Sequence, residues 1–103
     1  MLTSKQRAKL KSIAVNTDTL YQLGLKGING NYIVQINDAL DAKEIVKIHI
    51  LGNNVDDRDA TAAELAERTD SEVVQLIGSR LVLYKRSRHQ EKRKLSLEID
   101  RIK

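Results

Sequence analysis

The sequence predicts an α/β fold. It reads as one compact domain with the order α-β-α-β-α-β-β and a small mixed four-stranded sheet packed on helices. Three observations carry that prediction. Apolar side chains recur at helical spacing in three separate runs. Short β-rich runs alternate with them, and strand–helix–strand units imply parallel neighbours. The last two β-rich runs meet at Gly78-Ser79, which adds an antiparallel hairpin. At 103 residues the chain has the size of one domain and can bury a core without staples.

Each element has its own signal. Thr3-Ser4-Lys5-Gln6 reads as a capping box, with Thr3 as N-cap and Gln6 at N3. Leu10, Ile13 and Ala14 follow at helical spacing, and Asn16-Thr17-Asp18 makes a turn. Residues 19–23 hold Thr, Leu and Tyr and end at Gly24, which suits a short strand. Asn29-Gly30-Asn31 offers helix-start chemistry. Ile33, Ile36 and Leu40 then carry a second helix to about Lys43. Residues 45–51 form the clearest strand: Val46, Ile48 and Ile50 face one way, Lys47 and His49 the other. Gly52-Asn53-Asn54 stops it. Asp56, Asp57 and Asp59 open a third helix that ends near Thr69-Asp70. Residues 72–77 and 81–85 are the hairpin strands. From Arg86 to Lys94 there is no apolar side chain, and Leu95, Leu97, Ile99 and Ile102 fit neither period cleanly. Residues 1–87 therefore read as the domain. Residues 88–103 read as a basic C-terminal tail outside the core, disordered or partly helical.

Composition narrows the function classes. The chain has no Cys, which excludes disulfides and thiolate metal sites and fits a reducing compartment. It opens into a polar, basic helix pattern without the apolar centre of a signal peptide, and no apolar run approaches membrane-spanning length. A cytoplasmic protein without membrane contact is the expectation. The net charge of +4 is unevenly spread. Residues 1–37 are net +4, residues 38–72 net −6 and residues 73–103 net +6. If the two basic ends meet in the fold, one face is strongly positive.

The motif with chemical content is Gly24-Leu25-Lys26-Gly27, a GxxG loop between a strand and a helix. Glycines let the main chain approach a phosphate with no Cβ in the way. The following helix N-terminus aims unpaired N–H groups at the same place, and Lys26 adds a cation. One RNA-binding module, the KH domain, clamps RNA backbone with such a loop. By itself the tetrapeptide is unspecific, since a strand-to-helix turn also needs glycine.

Context adds specificity. The opening Leu2-Thr3-Ser4-Lys5-Gln6-Arg7, the strand–GxxG–helix unit with Gly27-Ile28-Asn29, the strand Glu44-Ile45-Val46-Lys47-Ile48-His49-Ile50 and the run from Val74 to Arg86 occur in one order. Together they resemble the YhbY-type, or CRM-domain, family of small bacterial RNA-binding proteins, over about residues 1–87. The resemblance implies a fold similar to the C-terminal domain of bacterial translation initiation factor three. It also implies RNA binding and association with the large ribosomal subunit precursor during assembly. The family loop falls on Gly24, Leu25, Lys26 and Gly27. Family loops often carry Lys first; here Leu25 precedes Lys26, so the charge moves by one residue. The basic first helix (Lys5, Arg7, Lys9, Lys11) and the hairpin residues Arg80, Lys85 and Arg86 complete the candidate RNA-binding set.

Other signals have plainer readings. Asp56, Asp57 and Asp59 have the hard oxygens of a magnesium site, but helix capping explains them without a metal. His49 lies on the polar side of a strand, and His89 lies in the tail. Tyr21, Tyr32 and Tyr84 lack the dense aromatic signature of RRM-type base stackers and read as packing residues. There is no Walker-type loop and no recognisable His–carboxylate motif, so an enzyme ranks lowest and no cofactor is implied. Ribosomal RNA is the expected partner. The rival is a protein-interaction adaptor whose acidic middle docks an assembly factor or a ribosomal protein. Recognition through backbone and shape predicts weak sequence specificity. Selection from random RNA should return no single tight consensus, and one tight motif would contradict this reading.

Overall fold

The structure, a computed structural model, describes residues 2–19, 21–24, 28–51 and 55–102, and of residues 55–57 the backbone alone. In chain order the elements are α1 (Ser4–Val15), β1 (Tyr21–Leu23), α2 (Gly30–Lys43), β2 (Ile45–Ile50), α3 (Val55–Thr69), β3 (Glu72–Ile77), β4 (Arg80–Tyr84) and α4 (Leu95–Asp100). A short 3₁₀ turn, Gln90–Lys92, precedes α4. The sheet order is β1-β2-β4-β3. β1 runs parallel to β2, and β4 is antiparallel to both β2 and β3. The mixed four-stranded sheet is thus the expected one. Among the described residues no helix is long and apolar enough to cross a membrane.

Local chemistry sets the element ends. Both bonds of the α1 capping box form, Gln6 N to Thr3 Oγ1 at 3.1 Å and Thr3 N to Gln6 Oε1 at 2.9 Å. Asn29 caps α2 by accepting from Tyr32 N at 2.8 Å. α3 ends on Asp70, whose φ of 54° is left-handed. Ser71 N donates to Ala66 O and Asp70 N to Glu67 O, the paired closure of a Schellman motif. Gly78 turns the β3–β4 hairpin at φ +59°, a conformation that suits glycine at the first central position of a type II′ turn.

Strand alternation divides the core into two layers. On one face Val46, Ile48, Ile50, Leu81 and Leu83 pack against Ile36, Leu40, Leu65 and Ala66 of α2 and α3. On the other, Ile45, Val82 and Tyr84 pack against Leu10 and Ala14 of α1 and Ile99 of α4. A bulge between Val73 and Gln75 leaves Val74 as the extra residue of β3. Val74 thereby joins the α1/α4 layer.

The C-terminal stretch corrects the expectation of a tail outside the core. Ile99 is 1% exposed, and Leu95 and Ile102 pack beside it. These three fall at i, i+4 and i+7, one helical stripe, whereas Leu97 is 55% exposed and blurs the pattern in the sequence. Gln6 Nε2 donates to Ile99 O at 3.1 Å and Ile102 O at 3.3 Å, and Lys9 pairs with Glu98 at 3.4 Å.

The segment is held by two buried carboxylates of the α2–β2 junction. Glu44 is 1% exposed with φ 66°. Its carboxylate accepts from Ser87 N at 2.8 Å and from Lys94 N and Ser96 N at 3.0 Å each. Its carbonyl accepts from Lys85 N. Asp41 accepts from Arg88 Nε at 2.8 Å, Arg88 Nη2 at 2.6 Å and Arg88 N at 3.0 Å. Burial alone pushes the Glu44 carboxyl up, but the Ser96 hydroxyl and the backbone N–H groups of Ser87, Ser96 and Lys94 outweigh it and hold it below its usual range. Ser96 Oγ makes no hydrogen bond among the described residues, so the bonds that hold the carboxylate ionised are those from the three backbone N–H groups. The Arg88 hydrogen bond holds Asp41 low against its own burial.

A lowered folded pKa stabilises the fold above the unfolded value and ceases to do so as pH falls through the folded value. The contribution of Glu44 and Asp41 is therefore complete above their ordinary 4.5 and 3.8 and is lost at pH values below them. Hydrogen exchange along an acid titration should show the Ser87, Lys94 and Ser96 amides losing protection there. At neutral pH, Glu44→Ala should destabilise the fold by about 3 kcal/mol in urea denaturation, because it strands three buried donors. Glu44→Gln, which keeps an acceptor oxygen, should do about half that damage.

Candidate nucleic-acid interface

The register determines which sequence-predicted residues meet. Leu23 pairs with Ile50, and Leu51 N donates to Leu23 O. Ile50 N donates to Ser79 O. The β1–α2 junction, the end of β2 and the hairpin turn therefore share one end of the sheet. Gly24 is exposed there, and Arg80 stands one strand beyond His49, its partner on β2. Leu25, Lys26 and Gly27 lie outside the described residues. Ile28 resumes the chain with its carbonyl 3.5 Å from Arg68 Nη1.

Four cross-strand partners line up at this end. Gln22 pairs with His49, His49 with Arg80, and Arg80 with Ile77. The row crosses all four strands, about 14 Å at a ~4.8 Å strand spacing. It lies on the same face as α1, since Lys47, Val82 and Tyr84 alternate with residues of the α2/α3 layer. Yet α1 leaves it uncovered. Gln22 and Arg80 are exposed, Ile77 is 66% exposed and His49 is half-buried. One register step inward stand Lys47, Val82 and Gln75. None of these seven side chains is acidic. Alternation had put Lys47 and His49 on a common side, but their alignment with Gln22, Arg80 and Ile77 depends on strand order and pairing.

The remaining candidates are dispersed. Lys85 and Arg86 follow the opposite end of β4, where Tyr84 pairs with Ile45 and Glu72. Lys85 Nζ donates to Asn37 Oδ1 at 3.5 Å, and Arg86 forms an ion pair with Asp100. Arg7 is half-buried and donates from Nη1 to the carbonyls of Val73 and Val74, the latter at 3.2 Å. Those two carbonyls belong to the β3 bulge, so Arg7 completes a break in the ladder. Lys9 faces Glu98. Lys5, Lys11 and Arg80 are exposed and make no ion pair among the described residues. Lys47 Nζ donates to Ala14 O at the end of α1, 3.1 Å away.

The tyrosines pack. Burial pushes Tyr32 up to about 12, and burial together with the Glu44 and Asp100 charges does the same for Tyr84. Both rings are neutral near pH 7, so neither can act as a proton carrier there. Asp59 is exposed, and the side chains of Asp56 and Asp57 lie outside the described residues. Among the described residues no cluster of His, Cys, Asp and Glu could hold a metal ion.

Residues 2–85 match the CRS1 / YhbY (CRM) domain, nearly the whole chain. The protein belongs to the CRS1/YhbY family. Relatives within reach share most of their length with this CRM domain. "Probable RNA-binding protein YqeI" of Bacillus subtilis is 41% identical over 88 residues, covering 85% of this chain and 92% of that protein. An "RNA-binding protein" of Haemophilus influenzae is 29% identical over 86 residues, covering 84% and 87%. The solution structure of the Staphylococcus aureus protein SAV1595 superposes with a TM-score of 0.76 at 46% identity, over 91% of this chain and 98% of that one.

Arg7 and the lysines of α1 should separate cleanly by denaturation. Arg7→Met leaves the bulge carbonyls without their donor and should reduce stability by about 1–3 kcal/mol. Lys5→Met and Lys11→Met should stay within about 0.5 kcal/mol of the parent.

Proposed function

We propose that this CRM-domain protein binds ribosomal RNA in large-subunit precursors and assists ribosome assembly as a cytoplasmic, non-enzymatic RNA-binding protein. The observation that carries this reading is the company Gly24 keeps. Gly24 is exposed at the sheet end where Arg80 is also exposed and where the neighbouring row has no acidic side chain. α2 begins at Gly30, three residues after Gly27, so the N–H groups of its first turn add positive potential close to the tetrapeptide in the chain. RNA held at the α2 N-terminus would pass round the sheet end to meet Arg80 on the α1 face. The names borne by the Bacillus and Haemophilus relatives support RNA as the ligand class.

The adaptor reading loses ground because part of the acidic middle is used inside the molecule. Asp41 and Glu44 hold the C-terminal segment, and Glu64 pairs with Arg68 at 3.5 Å.

The test is fluorescence anisotropy with ribosomal RNA fragments over a salt series. Binding should weaken with salt. Lys26→Glu and Arg80→Glu should each lower affinity and flatten the log–log salt slope, by roughly 0.7–0.9 per lost phosphate contact. Absence of RNA binding by the parent protein at low salt would overturn the proposal. Retained binding to a basic protein partner by both variants would promote the adaptor.

A further inference from the structure

The uncovered row on the α1 face has a composition that phosphate binding does not explain. A groove that tracks RNA backbone is rich in Lys and Arg. Here Arg80 is accompanied by one glutamine, an imidazole and a bare isoleucine, with half-buried Gln75 on the next row inward. Gln22 and Gln75 each present an amide that both donates and accepts, the pattern that pairs with base edges. Ile77, at 66% exposure on a hairpin strand, offers an apolar surface. Arg80 has a planar guanidinium on which a base can lie.

From this we propose that the open half of the sheet is a platform for an unpaired RNA segment. The segment would run across Gln22, His49, Arg80 and Ile77. The inference rests on the RNA-binding reading above and adds to it the kind of RNA and the surface that meets the bases. Charge complementarity favours a nucleic acid over a protein here: exposed Arg80 is cationic, Lys47 adds a second positive charge behind it, and neither the open row nor the covered one behind it holds an acid. Shape favours unpaired over duplex RNA. A duplex hides its base edges in a deep, narrow major groove and presents mainly 2′-hydroxyls and phosphates across its minor groove, which call for cations more than for an amide and an apolar side chain. Unpaired bases can be splayed onto such a surface. With neither aromatic side chains nor a bidentate Arg pair on the row, the contacts hold bases without imposing one sequence.

The decisive variant leaves charge untouched. Gln22→Ala combined with Ile77→Ala alters two exposed side chains and should melt with the parent protein. Its affinity for a labelled unpaired oligonucleotide should fall about tenfold, with an unchanged salt slope. Its weaker affinity for a fully paired hairpin of the same composition should not change. Arg80→Lys keeps the charge but loses the planar group, and it should weaken the unpaired probe selectively. In the unaltered protein, amide resonances of Gln22, His49, Ile77 and Arg80 should shift on titration with the unpaired probe. Equal affinity of the parent protein for the two probes would overturn the inference. So would a silent double variant with no shifts along the row, even where Lys26→Glu abolishes binding and the RNA-binding reading stands. If the parent protein binds neither probe at low salt, that reading fails and takes this inference with it.

Discussion

A single buried carboxylate ties the fold together. Glu44 stands where α2 ends and β2 begins, at a left-handed backbone position that most residues avoid. There it turns the chain from helix into strand while aiming its side chain at three backbone donors of the C-terminal segment. An ionised group so deeply buried is tolerable only when hydrogen-bonded from several sides, and each donor is equally dependent on it. Asp41, one helical turn earlier, repeats the arrangement through Arg88. These contacts align α4 so that Ile99 closes the second core layer, and α1 rests on that layer. The α1 face of the sheet thus depends on an interaction rooted in the opposite layer.

That dependence explains why the two faces of the sheet differ. Two long helices, α2 and α3, cover one face along most of its length. The other is covered by α1 and the six-residue α4, and only over its lower half. The bulge at Val74 increases the coverage by turning an additional apolar side chain toward α1, and Arg7 supplies the ladder partner that the bulge removes. Beyond Val82 the helices stop, and the surface becomes polar. The candidate interface is therefore the remainder left by a deliberately short covering layer.

Much of this was legible in the sequence, because local chemistry determined it. The capping box at Thr3, the cap at Asn29, the alternation in residues 45–50 and the glycine of the hairpin each had one good structural reading, and each element formed within a residue or two of its expected bounds. What could not be read depended on contacts far apart in the chain. Nothing local marks Glu44 or Asp41 as buried, since acids near a helix C-terminus resemble solvated surface. The apolar stripe of Leu95, Ile99 and Ile102 was masked by exposed Leu97. The basic residues divided in the same way: Lys5, Lys11 and Arg80 are free of ion pairs among the described residues, whereas Arg7, Lys85 and Arg86 are engaged by groups that only the folded chain brings near. The alignment of Gln22, His49, Arg80 and Ile77 in one row required the pairing of four strands.

The bond from Gln6 to Ile102 O joins residues 96 apart in a chain of 103. Closing so large a loop carries an entropic penalty that no local contact can prepay. The β3–β4 hairpin and the β1–α2–β2 unit need far shorter closures. The two core layers thus differ in reach along the chain: near neighbours in sequence close the α2/α3 layer, and the two ends of the molecule close the other.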